Sequence, residues 1–222
     1  MSSAASSSPT TRSKSSEDKA VEKRQARIAV LVSGGGTNLQ ALIDAQNAGI
    51  IKSGRIELVL ANNANAYALQ RAEKAGIDTA VVLRKDCASQ AEFEERIVSA
   101  LEDKGVELIV LAGFMSILSE NFTRRYDRRI INVHPSLIPS FCGKGFYGLH
   151  VHEAALEKGV KVTGATVHFV NEIPDGGEII LQKAVNIRKG DTPETLQKRV
   201  MEQAEWKILP RATELVCKEI IK

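Results

Sequence analysis

The 222-residue sequence has only three cysteines, and Cys87, Cys142 and Cys217 lie far apart. No CxxC pair or Cys/His cluster marks a zinc site, and an odd, scattered set fits a reducing compartment rather than a disulfide framework. No apolar run is long enough to cross a bilayer, so no membrane partner is expected. A formal net charge of only +3 argues against a broad nucleic-acid footprint, yet leaves room for a local basic pocket that takes a phosphate. Hydrophobic residues make up 43% of the chain, enough for a sizeable core in one domain.

The first stretch, residues 1–25, is Ser-rich and then charged. It lacks periodicity and reads as a disordered tail. It has no apolar core of a secretory signal. Ser and Arg are present, as in a mitochondrial leader, but Glu17, Asp18 and Glu22 count against one. A single domain is expected over residues 26–222, with a phosphate-binding half up to about 129 and a catalytic half beyond it.

Within that domain, apolar runs at 27–33, 56–61, 79–83 and 108–112 read as buried strands. They alternate with helical patterns at 39–43, 67–75 and 91–104. In the last of these, Phe93, Ile97 and Leu101 form one stripe and Gly105 closes the helix. Strand–helix alternation of this kind means right-handed crossovers and a parallel sheet. Gly34, Gly35 and Gly36 follow the first strand, with Thr37 or Asn38 placed to cap the next helix. The glycine turn and the bare amides of a helix N-terminus together suit an anion. The loop is neither GxGxxG nor a Walker loop, since no Lys follows the glycines. A nicotinamide cofactor is also disfavoured, because Asn62 and Asn63 stand where a ribose-binding acid would follow the second strand.

The chain's most informative stretch is 130–137, IINVHPSL. Its first half is a buried strand that must stop near His134, because Pro135 cannot donate to a ladder. Asn132 and His134 are two residues apart, so an amide and an imidazole share one face at the strand's C-terminal end. Ligands of open α/β sheets bind at that end. Beyond Pro135 come a glycine-rich loop at 140–148, a helix at 151–158 and an alternating, half-buried strand at 164–170, with Thr166, His168 and Val170 on one face. A tight polar turn follows at 171–177, then a strand at 178–185. Thr192 and Pro193 open a final helix towards Ile208; Pro210 is expected to end or kink it, and a terminal helix to run to about 221. Asp175, in Pro-Asp-Gly-Gly, is by its own context a turn former. His168 reads as a structural histidine, and His150 and His152 as loop and helix-start residues.

SGGGTNLQALIDA, LAGFMSIL, NVHPSLIPSF and GATVHFVNEIPDGGEIILQKAV occur in this order, and together they resemble the phosphoribosylglycinamide formyltransferase family, over about residues 27–215. The resemblance implies an α/β Rossmann-like formyltransferase fold, its parallel N-terminal sheet continuing into a mixed C-terminal part with helices on both faces. It implies formyl transfer from 10-formyltetrahydrofolate to the amine of N1-(5-phosphoribosyl)glycinamide in purine synthesis, without a metal. Asn132, His134 and Asp175 would be catalytic. Gly36, Thr37, Asn38 and Glu205 would bind the substrate. Met115, Ser116, Ile117 and Leu118, with Asn132, Asn171, Glu172, Ile173, Pro174 and Asp175, would line the folate pocket. The expected partners are small molecules, in a cytoplasmic monomer or weak homodimer.

Four features depart from the family pattern. Ser116 and Gln90 stand where relatives place Arg. Trp206 stands where a His usually follows the last-helix Glu, and one extra residue precedes it after Arg199. The loop 142–148 is longer than in most relatives. The alternatives are a formyltetrahydrofolate hydrolase, which would have little use for a phosphate loop, or a formyltransferase acting on aminoacyl-tRNA, which would be expected to carry a further C-terminal domain.

Overall fold

The computed structural model describes residues 24–222, so most of the tail lies outside the described residues. Seven strands form one sheet: β1 (Ala26–Val32), β2 (Gly54–Ala61), β3 (Asp78–Val81), β4 (Leu108–Leu111), β5 (Ile130–His134), β6 (Val162–Phe169) and β7 (Ile179–Asn186). Their spatial order is β3-β2-β1-β4-β5-β6-β7. The first five are parallel, and β6 runs antiparallel to both β5 and β7. The expected parallel half that continues into a mixed half is what the sheet shows.

Alternation along the strands sorts the core onto two faces. Ile28, Val30 and Val32 pack with α1 (Thr37–Asn47), α2 (Tyr67–Lys74) and α7 (Trp206–Ile220). Ala29 and Leu31 pack on the other face with Phe93, Ile97 and Leu101 of α3 (Gln90–Asp103) and Phe122 of α4 (Glu120–Arg125). The remaining helices are α5 (Leu149–Lys158) and α6 (Pro193–Val200). The α6 start is a full capping box: Thr192 and Thr195 satisfy each other's backbone N–H, as the Thr-Pro pair foretold.

Three local expectations need correction. Strand β6 is buried on both faces from Thr163 onward rather than half-buried, because it lies between two strands with helices packed over it. Pro210 does not end the last helix; it sits inside α7. Only the bond its nitrogen would have donated back to Trp206 is lost, and burial of Ile208, Leu209, Ala212 and Val216 on the same helix outweighs it. The irregularity falls earlier, in a π-helical turn, Met201–Glu205, where the Trp206 N–H reaches back to the Met201 carbonyl. A π-turn holds one more residue than an α-turn, which gives the extra residue after Arg199 its place.

Candidate active site

The sheet's order reverses at β1, and the loops after β1, β4 and β5 leave from neighbouring strand ends. Two strand spacings, about 10 Å, separate the glycine loop from the end of β5. Gly36 has φ of 71° and is itself the N-cap of α1, with no side-chain cap. This corrects the expectation that Thr37 or Asn38 caps the helix: the chain turns too sharply for either side chain to reach back. The turn demands glycine twice over. A Cβ at Gly36 would lie 2.6 Å from the Ala68 Cβ, whereas Gly34 and Gly35 face open space. The first-turn amides of α1 therefore remain available to an anion. Arg71, unnoticed in the sequence because a lone Arg on a helix carries no signal, donates to the Gly35 carbonyl at 2.8 Å and to Gln40 at 3.0 Å. It sets a positive charge beside the glycines.

Asn38 joins this loop to the last helical segment by donating to Glu205 Oε2 at 2.6 Å. Glu205 is only 6% exposed. Burial pushes its carboxyl up to about 7, although the Asn38 hydrogen bond acts in the opposite direction. The π-turn brings this residue, one position before Trp206, to the glycine loop.

At the end of β5, Asn132 and His134 lie on one face as their spacing requires. Antiparallel pairing sets Asn132 opposite His168 and His134 opposite Thr166. Asp175 comes from the β6–β7 turn, where it takes φ of 56°, a left-handed conformation that Asp tolerates better than most residues. It is therefore both the turn former its sequence context indicates and the carboxylate of the cleft. Its Oδ2 lies 3.5 Å from His134 Nδ1, and its Oδ1 lies 3.5 Å from His168 Nε2. The Gly143 N–H donates to Oδ2 at 2.8 Å. The turn must come close to β6 to make these contacts: a Cβ on Gly177 would fall 1.8 Å from the Phe169 carbonyl oxygen.

His168 is more than a structural histidine. Its Nδ1–H donates to the Phe169 carbonyl at 2.7 Å. That leaves Nε2 to face Asp175 and to meet the Asn132 amide nitrogen at 3.3 Å. It thus stands between the other two polar groups, a position that only strand pairing reveals. His152 falls in the first turn of α5, as expected of a helix-start residue. It lies on the inner side of α5, fully buried, and burial together with the charge of His134 holds it down at about 4. His150 remains at the exposed helix start.

Burial lowers the pKa of His134 more than Asp175 and the Phe141 carbonyl raise it. The carboxylate beside the ring therefore does not set the direction of its shift. Desolvation raises Asp175, but the His168 imidazole beside it, the hydrogen bond from Gly143 and the neighbouring His134 outweigh it, so the group ends below its ordinary value. Asp175 is accordingly ionised at neutral pH. His134 Nε2 lies 2.8 Å from the Phe141 carbonyl oxygen. A carbonyl only accepts, so this nitrogen bears the proton.

Met115 and Ile117 after β4 are 57% and 78% exposed, and Ile173 in the β6–β7 turn is 58% exposed, whereas Leu118 is buried. Large exposed apolar side chains in the loops at the sheet's C-terminal edge suit a flat ring system. The two Arg-to-neutral departures serve to fix this wall. Ser116 accepts from Asn62 Nδ2 at 2.8 Å. Gln90 donates to the Ile117 carbonyl at 3.1 Å and to Glu94 at 2.7 Å. Among the described residues no group of three His, Cys, Asp or Glu is placed to hold a metal, and no helix is long and apolar enough to cross a membrane.

A family model described as formyl transferase matches residues 26–213. The chain belongs to the formyl transferase family. It is 46% identical over 184 residues to a phosphoribosylglycinamide formyltransferase of Haemophilus influenzae, covering 83% of this chain and 84% of that protein. It is 48% identical over 195 residues to the human trifunctional purine biosynthetic protein adenosine-3, covering 88% of this chain but only 19% of that much longer protein. The crystal structure of glycinamide ribonucleotide transformylase 1 from Symbiobacterium toebii superposes with a TM-score of 0.82 at 41% identity, over 88% of this chain and 89% of that one. The family match at 26–213 spans all seven strands, and with the structural likeness at that identity the α/β formyltransferase architecture holds for this chain.

Proposed function

We propose that this formyltransferase moves a formyl group from 10-formyltetrahydrofolate to the amine of N1-(5-phosphoribosyl)glycinamide, as a single domain spanning residues 26–222. The observation that carries the reading is the meeting of Asp175 with His134 and His168, with Asn132 alongside, at the end of β5. Amine attack on the formyl carbon develops an oxyanion. The Asn132 amide and His134 Nε2–H are the donors that would hold it, the former worth about 3 kcal/mol by analogy with other acyl-transfer sites. Because the Nε2 proton is present in both the neutral and the charged ring, His134 donates in either state. The proton released by the amine passes to the Asp175 carboxylate and from it to the departing folate nitrogen as the C–N bond breaks. His168 orients both Asp175 and Asn132.

Gly36, Thr37 and Asn38 would hold the substrate phosphate with Arg71 beside them, and Glu205 would contact the remainder of that substrate. The donor's ring system would lie against Met115, Ser116, Ile117 and Leu118 and the turn of Asn171, Glu172, Ile173 and Pro174, whose exposed apolar groups fit a flat heterocycle. A cytoplasmic enzyme working as a monomer or weak homodimer, on small molecules and without metal, completes the proposal. It is tested by following folate product spectrophotometrically with and without glycinamide ribonucleotide. Turnover that depends on that amine is expected. Equal turnover in its absence would make the protein a hydrolase.

A further inference from the structure

Away from the reacting groups, α1 and the π-turn that leads into α7 run side by side. Asn38 meets Glu205 at one end, and the backbone N–H groups of Lys52 and Ser53, just past α1, donate to Glu214 at the other. Between these ties lies a groove of about 1160 Å³ that extends to Lys183 of β7. Small-molecule sites typically hold about 300–1,000 Å³, so the space suits a ligand of substantial size. Thr37 and Arg71 stand at the end shared with the proposed phosphate cradle. The rest of the groove has no task in the proposed reaction. Its apolar lining is Ala41, Ala45, Ile50, Trp206 and Pro210. Trp206 is half-buried, and its indole nitrogen is buried without a partner among the described residues. The accessible part of this ring is therefore carbon. Trp206 also departs from the His of relatives, and formyl transfer gives it no role.

The charge around the groove is uneven. Arg71, Lys183, Lys207 and Arg211 line it against only two acids, Asp44 and Glu202. Gln40 donates to Asp44 at 2.9 Å, and Glu202 faces Lys198 at 3.9 Å. Among the described residues none of the four cations has a carboxylate partner, and Arg71 donates only to the neutral oxygens of Gly35 and Gln40. Cations gathered around one apolar groove repel one another, and a bound anion relieves that repulsion. A flat carbon surface beside unpaired cations matches a heteroaromatic ring that carries phosphates: the ring stacks, and the phosphate oxygens accept charge-assisted hydrogen bonds. We propose that the groove between α1 and α7 is a second binding site, which takes a free nucleotide with its base against Trp206 and its phosphate chain on Lys183, Lys207 and Arg211. The chain's net charge of only +3 supplies no extended basic track, so the occupant is one nucleotide and not a nucleic-acid strand.

Trp206 is the only tryptophan in the 222-residue chain, so its fluorescence reports the site directly. Titration of the full chain with ATP, with neither reaction substrate present, should quench that fluorescence saturably. Calorimetry should give ATP a Kd about tenfold tighter than that of inorganic triphosphate, the worth of one stacked base. Lys207 and Arg211 are exposed on α7, and Glu is a good helix former, so Lys207→Glu and Arg211→Glu should leave the circular dichroism unchanged. Each should weaken ATP about tenfold or more, as expected for a lost charge-assisted hydrogen bond. Quenching that does not saturate, or ATP binding no tighter than triphosphate, would overturn the nucleotide as the ligand. ATP binding that survives both substitutions would overturn the groove as the site and place the nucleotide in the substrate cleft. No folate or glycinamide enters the titration, so its result is independent of whether the proposed formyl transfer holds.

Discussion

Glu205 gives a test that reads the glycine-loop end of the cleft without any ligand. Its carboxyl is 6% exposed, with a folded-state pKa of about 7 against 4.5 when free. A group with a raised folded pKa binds more protons in the folded state than in the unfolded state between those two values. Folding stability therefore falls as pH rises from 4.5 to 7, by about 1.4 kcal/mol per unit, for a total of about 3 kcal/mol. Above pH 7 the cost is fully present; below 4.5 it vanishes. Glu205→Gln keeps an oxygen for the Asn38 N–H and offers an amide N–H to Asn38 Oδ1, which is buried without a partner among the described residues. The variant should match the unaltered protein near pH 4.5 and exceed it by about 3 kcal/mol above pH 7. Urea denaturation at half-unit steps from pH 4.5 to 8, at constant ionic strength, measures the difference directly. A difference that stays constant with pH would refute the argument, since a neutral amide and an unperturbed exposed carboxylate have no reason to diverge. Because Glu205 is proposed to touch substrate, the same change should raise the KM for the glycinamide substrate while the fold becomes more stable.

Further outcomes follow from the same geometry. Asp175→Asn should lower kcat by two or more orders of magnitude with unchanged circular dichroism, because an amide still accepts from Gly143 but cannot take a proton. Near-normal turnover in the purified variant would remove Asp175 from the mechanism. Asn132→Ala should cost about 100-fold to 1000-fold in kcat, read in steady-state kinetics. Arg71→Ala should raise the KM for the phosphate-bearing substrate with little change in kcat, and an unchanged KM would place the phosphate elsewhere. Gly36→Ala forces a Cβ to within 2.6 Å of Ala68 in a left-handed turn and should lower thermal stability by several degrees.

How much of this was legible in the chain depends on how local each cause is. The parallel half of the sheet could be read from continuous apolar runs separated by periodic helices, because burial on both faces leaves that pattern in the strands themselves. The common face of Asn132 and His134 is a consequence of two-residue alternation, and the stop after His134 follows from Pro135. The acceptance of Pro210 inside α7 could not be foreseen, since the cost of one lost hydrogen bond is offset by apolar residues whose burial only the assembled core decides. The cap of α1 was misassigned for a similar reason: a glycine in the left-handed region replaces a side-chain cap when α2 presses against the turn, and α2 lies 30 residues on.

The sequence by itself determined the strand and helix order, the glycine turn, the end of β5 and, through ordered motifs, the resemblance to a formyltransferase. Only the tertiary structure decided which side chains meet. Antiparallel pairing of β6 with β5 set His168 opposite Asn132, and the close turn at Gly177 carried Asp175 back to His134. Burial, a property of the whole fold, then lowered His134 and raised Glu205. Chain-local patterns record periodicity and backbone chemistry; they carry no record of distances between segments forty residues apart or of the solvent those segments exclude.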